Sequence, residues 1–311
     1  MPDALAAWGR LLRVSLAPTA VADVVAGLVI AGAALQPTAL VPQPGTAGLL
    51  VLASLCVYHG GMALNDWADR RHDAEVRADR PIPSGRIPAG LALAVALALL
   101  VAGPLVAWQI AWPAGAWVAG LAVAAASYDL FGRGPWLGPL LLALCRAGNL
   151  SIGFLALTEA PGDLGGAWSL PALYGVYVFL VSRLGRLEDG EERRPGVLTP
   201  PRLLGLLAGA FWILPFAPLP GAGLLGRGVA LLLGIGASVE LLRLARHLRV
   251  WTPPELLPAM GCALRRLLVF SAAAAALPAS VSGGATNLVV VAGILALYPV
   301  SYFLRGIFPP S

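Results

Sequence analysis

Apolar residues run along this chain in ten long stretches, at residues 15–36, 47–64, 88–110, 113–131, 137–157, 168–187, 202–220, 224–242, 263–281 and 286–304. Most approach the roughly 20 residues that an α-helix needs to cross a hydrocarbon core. Backbone groups in lipid must be satisfied within their own segment, so these runs predict helices; a membrane barrel would alternate apolar and polar positions instead. The pattern predicts an all-α, polytopic membrane helical bundle of nine or ten transmembrane helices, a single domain over 1–311, with a cap of charged loops at one end. The division after residue 200 is the least regular, because glycine and proline interrupt it, and one pair there also reads as a re-entrant or tilted element.

Composition agrees. With 58% hydrophobic and 12% charged residues, and a mean hydropathy of +0.80, the chain is too apolar for one soluble domain of 311 residues. All 21 basic residues are arginine, and they cluster. Arg10 and Arg13 precede the first run, Arg70 to Arg86 follow the second, Arg133 follows the fourth, Arg183 to Arg202 surround the end of the sixth, Arg243 to Arg266 follow the eighth, and Arg305 ends the tenth. The intervening loops near 37–46, 111, 158–167 and 282–285 carry none, with Arg227 as the clear exception. The positive-inside rule then puts the arginine-rich loops and both termini in the cytoplasm. These arginines sit at helix ends rather than on a soluble basic face with stacking aromatics, which argues against nucleic acid as a partner. The first run is long for a signal-peptide core and is read as a retained span. Cys56, Cys145 and Cys262 are far apart and form no CxxC or disulfide framework, so they read as packing residues.

The chemistry concentrates in Asn65-Asp66-Trp67-Ala68-Asp69-Arg70-Arg71-His72-Asp73, followed by Arg80-Pro81-Ile82-Pro83-Ser84-Gly85-Arg86. Asp66, Asp69 and Asp73 are spaced i, i+3, i+7, and Asn65 with Asp69 and Asp73 i, i+4, i+8, so a continuing helix would present all four on one face. Crowded carboxylates repel unless a cation intervenes, and hard oxygen ligands beside a phosphate suit Mg²⁺. The alternative is a solvated loop whose aspartates pair with neighbouring arginines.

These residues resemble the first signature of the UbiA superfamily of intramembrane prenyltransferases, N-D-x-x-D-x-x-x-D with a downstream R-P-[LI]-P-S-G. The resemblance implies two acidic motifs on the cytoplasmic side that bind Mg²⁺ and an isoprenoid diphosphate above a bundle holding the lipid tail. Tyr128 and Arg80 would contact that substrate along with Asn65. The second motif of the family is D-x-x-x-D; here the chain reads Ser182-Arg183-Leu184-Gly185-Arg186-Leu187-Glu188-Asp189-Gly190-Glu191-Glu192. Counting back from Gly196 aligns Glu188 and Glu192 with the two family carboxylates, while Asp189 or Glu191 would serve if the helix has ended by Gly190. Ser182-Arg183 with a following glutamate and glycine also resembles the divergent EboC-like branch and assigns Arg183 to the substrate. A solvated charge run is the other reading of this segment.

Polar groups inside apolar runs are costly and normally face the bundle interior. Arg146 and Asn149 lie one turn apart in the fifth run and are assigned to substrate, Arg146 by its resemblance to the arginine-bearing fifth helix of the superfamily. Asp23, Asp129 and Glu240 are given structural roles at least as readily, and His59 reads as a hydrogen-bonded packing residue. His72 beside the motif carries little weight alone. The expected activity is Mg²⁺-dependent transfer of an isoprenoid from an allylic diphosphate donor to an aromatic or other lipophilic acceptor. Asp69, Asp73 and Arg146 would carry the catalysis; Asn65, Asp66, Asp69, Asp73, Glu188 and Glu192 would hold the metal. Expected partners are the diphosphate donor, the acceptor and membrane lipid, in a multi-pass protein of a bacterial inner membrane with both acidic motifs cytoplasmic. A lipid-diphosphate-binding protein without transfer, or a secondary transporter, are the alternatives; no convincing internal repeat supports the latter.

Overall fold

The computed structural model describes residues 3–35, 43–132, 134–158, 160–188, 198–248, 252–279 and 285–308. Among them are twelve α-helices and no strand: α1 Asp3–Leu11, α2 Ala17–Leu35, α3 Pro44–Val76, α4 Ala89–Trp108, α5 Trp112–Phe131, α6 Leu137–Leu150, α7 Ile152–Leu157, α8 Ser169–Glu188, α9 Pro200–Ile213, α10 Leu224–His247, α11 Pro253–Ala276 and α12 Ala285–Ile307. Nine stretches among the described residues are long and apolar enough to cross a membrane, and the protein is a multi-pass membrane helical bundle. The remaining expected run, 202–220, forms the shorter apolar helix Pro200–Phe216. Pro215 and Pro218 lie at its end, where α9 tightens into a 3₁₀ turn over Leu214–Phe216. Arg227, the one arginine out of place in the loop pattern, donates to the Pro215 and Ala217 carbonyls at that broken end. Its charge therefore serves as a cap on backbone that the prolines leave unpaired.

Three features position the site. First, α3 is a single helix of 33 residues. At 1.5 Å per residue it is about 50 Å long, roughly 20 Å more than a hydrocarbon core, so its last turns carry the acidic motif beyond the apolar span. Second, the Arg80–Arg86 segment folds back over that end. Ile82 and Ile87 are buried in one apolar cluster with Ala7 and Leu11 of α1, and Gly85 takes the positive φ of 74° that closes the turn. This segment and α1 form the cap. Third, the fifth run is broken at Ser151 into α6 and α7, and the Ser151 hydroxyl donates to the Ala147 carbonyl at 2.8 Å.

Small residues let the helices approach closely where lipid offers no hydrophobic drive to association. A Cβ on Gly103 of α4 would lie 2.9 Å from the Ala53 carbonyl oxygen of α3. One on Gly27 of α2 would lie 1.8 Å from the carbonyl oxygen of Leu150 in α6. The main core gathers α6, α8, α9, α10 and α11 around Tyr174, Tyr177, Phe211 and Phe270, whose rings pack at 5.0–5.8 Å.

Gly27→Val should therefore destabilise the bundle by about 1–3 kcal/mol or more, since the obstacle is backbone and cannot rotate away. Gly120→Val, at a position with open space around it, should stay within about 0.5 kcal/mol of the wild type. Thermal unfolding of the detergent-solubilised variants compares the two.

Candidate active site

A cavity of about 960 Å³ opens between α3, α5, α6, α8, α11 and α12. Tyr58, Met62, Asn65, Asp69, His72, Asp73 and Val76 of α3 all line it, the i, i+3/i+4 succession of a single helical face. Asp66 does not line it. One residue of offset turns the side chain by about 100° on a helix, and its carboxylate is buried against Arg13 at 3.2 Å and Arg80 at 3.6 Å. The expectation that Asp66 shares the ligand face is corrected: it holds two arginines in place from behind. Asp73 is paired with Arg80 at 2.6 Å, so the returning Arg-Pro-Ile-Pro-Ser-Gly turn delivers a guanidinium to the metal-binding candidates themselves.

Arg13, placed by the sequence only as a charge before the first span, reaches into the site. Its backbone is the only non-glycine with positive φ (48°) among the described residues, and its guanidinium donates to Asn65 Oδ1 at 3.3 Å and Asp66 Oδ1 at 3.2 Å. The strained turn is held by neighbours: Tyr58 donates its hydroxyl to the Arg13 carbonyl at 3.3 Å, and His59 Nδ1 lies 2.7 Å from the Leu12 carbonyl oxygen. His59 is thus a hydrogen-bonded packing residue, as the sequence suggested.

Tyr128 and Asp129, in the last turn of α5, line the same cavity. From α6 comes Arg146, which lines it while forming an ion pair with Asp23 of α2 at 2.9 Å. Asp23 is fully buried and also accepts from Tyr174 at 2.7 Å, Ser271 at 2.9 Å and Asn149 at 3.3 Å. Asn149 does not line the cavity. Its Oδ1 accepts from Ser54 at 2.6 Å, and its Nδ2 donates to the Ala20 carbonyl at 3.1 Å as well as to Asp23. Its amide is spent within this network, which corrects its assignment to substrate.

On α8 the cavity is lined by Val178, Val181, Ser182, Gly185 and Arg186. Arg183 is turned away: it is buried, donates to the Pro135 carbonyl and stacks over Trp136 with its guanidinium carbon 4.4 Å from the ring centroid. Arg186, three residues further on, takes the place expected of Arg183 and donates to the Gly132 carbonyl at 3.1 Å. Glu188 closes α8, and Glu192, with Asp189 and Glu191, lies outside the described residues. The far wall comes from α11 and α12, through Arg265, Leu268, Tyr298, Ser301, Tyr302 and Arg305.

Seven arginines (Arg13, Arg77, Arg80, Arg146, Arg186, Arg265, Arg305) and three aspartates (Asp69, Asp73, Asp129) line one space, an excess of four positive charges with histidine neutral. Such a balance suits a polyanion with a partly neutralised end. The oxygen donors of Asn65, Asp69 and Asp73 fit Mg²⁺, which binds through one or two carboxylates and fills its shell with water and phosphate oxygens.

A model of the UbiA prenyltransferase family matches residues 24–258, and the chain belongs to that family. The bacteriochlorophyll synthase 33 kDa chain of Cereibacter sphaeroides is 42% identical over 104 residues, 32% of this chain and 34% of that protein. The digeranylgeranylglyceryl phosphate synthase of Ignicoccus hospitalis is 34% identical over 157 residues, 50% of each chain. The matched regions thus span only about a third to a half of these relatives. A solved UbiA homolog from Archaeoglobus fulgidus, bound to GPP and Mg²⁺, has the same fold, with a TM-score of 0.57 at 15% identity over 86% of this chain and 99% of that one.

The network around Asp23 makes a stability prediction. Arg146→Ala should cost about 3–5 kcal/mol, because it strands a buried carboxylate; adding Asp23→Leu should recover much of that loss. Thermal unfolding of the single and double variants reads the coupling.

Proposed function

We propose that this protein is a Mg²⁺-dependent prenyltransferase that moves an isoprenoid from an allylic diphosphate to a lipophilic acceptor, with residues 1–311 acting as one domain. The observation that carries this reading is the meeting of the Asn65–Asp69–Asp73 face with seven arginines in one cavity that is also lined by the apolar side chains of Leu142, Val178, Leu264, Leu267 and Leu268. A diphosphate head and a hydrocarbon tail would each find their own solvent there.

In this reading Asn65, Asp69 and Asp73 hold the cation, with Glu188 and Glu192 as candidates for a second acidic group. Bound Mg²⁺ would supply positive charge against the developing diphosphate anion. Arg80 and Arg186 bind the diphosphate oxygens and strengthen their hold as the allylic carbon–oxygen bond breaks and the diphosphate departs with the electron pair. Arg146, fixed in direction by Asp23, presents a charge lower in the cavity. The faces of Tyr58 and Tyr128 stabilise the allylic cation through their negative quadrupoles, and the apolar wall keeps water from capturing it. The acceptor then forms the new bond to the allylic carbon and loses a proton.

The arginine distribution supports an orientation with the acidic end of the cavity in the cytoplasm, and the membrane in this reading is a bacterial inner membrane. In a variant lacking Cys56, Cys145 and Cys262, a cysteine at position 77 should label from the cytoplasmic side and one at exposed Asp163 from the opposite side. Labelling of both from one side would overturn this orientation.

Purified protein offered prenyl diphosphates of several lengths with phenolic, quinone-precursor, tetrapyrrole and glyceryl phosphate acceptors should yield a prenylated lipid by mass spectrometry. Asp69→Asn should lower turnover roughly 10²-fold or more, the scale of losing one electrostatic contact to the transition state, without changing the melting temperature. Mg²⁺-dependent donor binding with no product from any acceptor would leave a binding protein instead.

A further inference from the structure

We infer that Asp129 is an additional oxygen ligand for the divalent cation, reaching it from α5 opposite the α3 face. This inference rests on the reading of the cavity as a metal–diphosphate site.

Asp129 is only 6% exposed yet lines the cavity, and its Oδ2 has no hydrogen-bond partner among the described residues. The oxygen faces α3: a Cβ built on Gly61 would lie 3.8 Å from it. Asn65 lies beside the same carboxylate, and Arg13, Asp69 and Asp66 lie within electrostatic reach of it. The contrast with its neighbours is informative. Asp66 also has one oxygen without a hydrogen-bond partner, but its other oxygen is matched to Arg13 at 3.2 Å and Asp73 is matched to Arg80 at 2.6 Å, whereas no arginine forms an ion pair with Asp129 among the described residues. A buried carboxylate normally has its charge paired and its oxygens hydrogen-bonded. Here one oxygen is left without a partner on a residue that lines the cavity, together with an asparagine and an aspartate suited to the same cation.

The position is also well fixed. The Gly132 amide donates to the Tyr128 carbonyl at 2.8 Å, closing the last turn of α5, in which Asp129 sits, so the side chain is set by regular helix rather than by loop. A cation held by Asn65 and Asp69 on α3 and by Asp129 on α5 would join two helices at the mouth of the cavity. Its remaining coordination positions would fall to water and diphosphate, the mode Mg²⁺ prefers. The competing role is a neutral acid that merely hydrogen-bonds Asn65; an asparagine would fill that role about as well.

The test uses Mn²⁺ as a paramagnetic substitute, titrated into the detergent-solubilised full chain with inorganic pyrophosphate and followed by electron paramagnetic resonance. Asp129→Asn should weaken Mn²⁺ binding about 10-fold or more, the scale of disturbing a metal's ligand environment. Asp69→Asn, the control for the site itself, should weaken it comparably. If Asp69→Asn is weakened and Asp129→Asn binds like wild type, this inference is overturned and the proposed function stands. If neither is weakened, both are overturned. Asp129→Cys, made without Cys56, Cys145 and Cys262, gives an independent readout that does not depend on the asparagine variant folding. A thiolate ligand should shift preference from Mn²⁺ toward the softer Cd²⁺ by about 10-fold. No shift in the folded cysteine variant overturns the inference.

Discussion

The arrangement of the bundle depends on one buried ion pair. Asp23 and Arg146 meet at 2.9 Å in a region where neither charge could stand alone, and the groups that satisfy them come from every side. Asp23 belongs to α2, Arg146 and Asn149 to α6, Tyr174 to α8, Ser271 to α11, and Ser54 of α3 joins through Asn149. Five helices are thereby given a common register. Apolar packing between lipid-embedded helices is weakly directional, because neighbouring lipid offers a comparable environment, whereas this network is satisfied in a single mutual arrangement.

That register explains why the cavity takes its form. With α2 held against α6 through Gly27 and α6 turned so that Arg146 faces inward, the space between α3 and α8 cannot close with apolar side chains. The cap then completes the opposite end: Ile82 and Ile87 anchor the returning loop in an apolar cluster, and Arg80 is carried onto Asp73. Hydrophobic burial in the cap and charge pairing in the site are therefore one structural event.

The spacing of Asn65, Asp69 and Asp73 was legible because helical periodicity is local, and Arg146 stood out because an ionisable side chain inside an apolar run is costly. Asp66 and Arg183 show its limit. Both belong to the right segments, but each stands one residue, about 100°, past a side chain that lines the cavity, Asn65 and Ser182, and is turned behind the wall. Asn149 lay beside the right residue and proved to be spent on Asp23, a partner 126 positions away that no local pattern indicates. Arg13, Arg265 and Arg305 carried a signal of another kind, since their clustering was read as topology alone. Charges that orient a chain in the membrane and charges that line its cavity gather at the same helix ends, and only the packing of α11 and α12 against the rest separates the roles. The short α9 was foreshadowed by its prolines, which the count of apolar residues in that run could not weigh.

The choice of arginine for every basic position has a consequence for how the site meets its surroundings. A guanidinium does not surrender its proton at any pH a cell experiences, and it offers no nucleophilic amine. The positive wall of the cavity is therefore invariant to cytoplasmic acidification, and it is inert to carbonyl compounds, acyl donors and amine-directed reagents that would capture a lysine. Among its basic side chains the cavity offers no free amine to an electrophile.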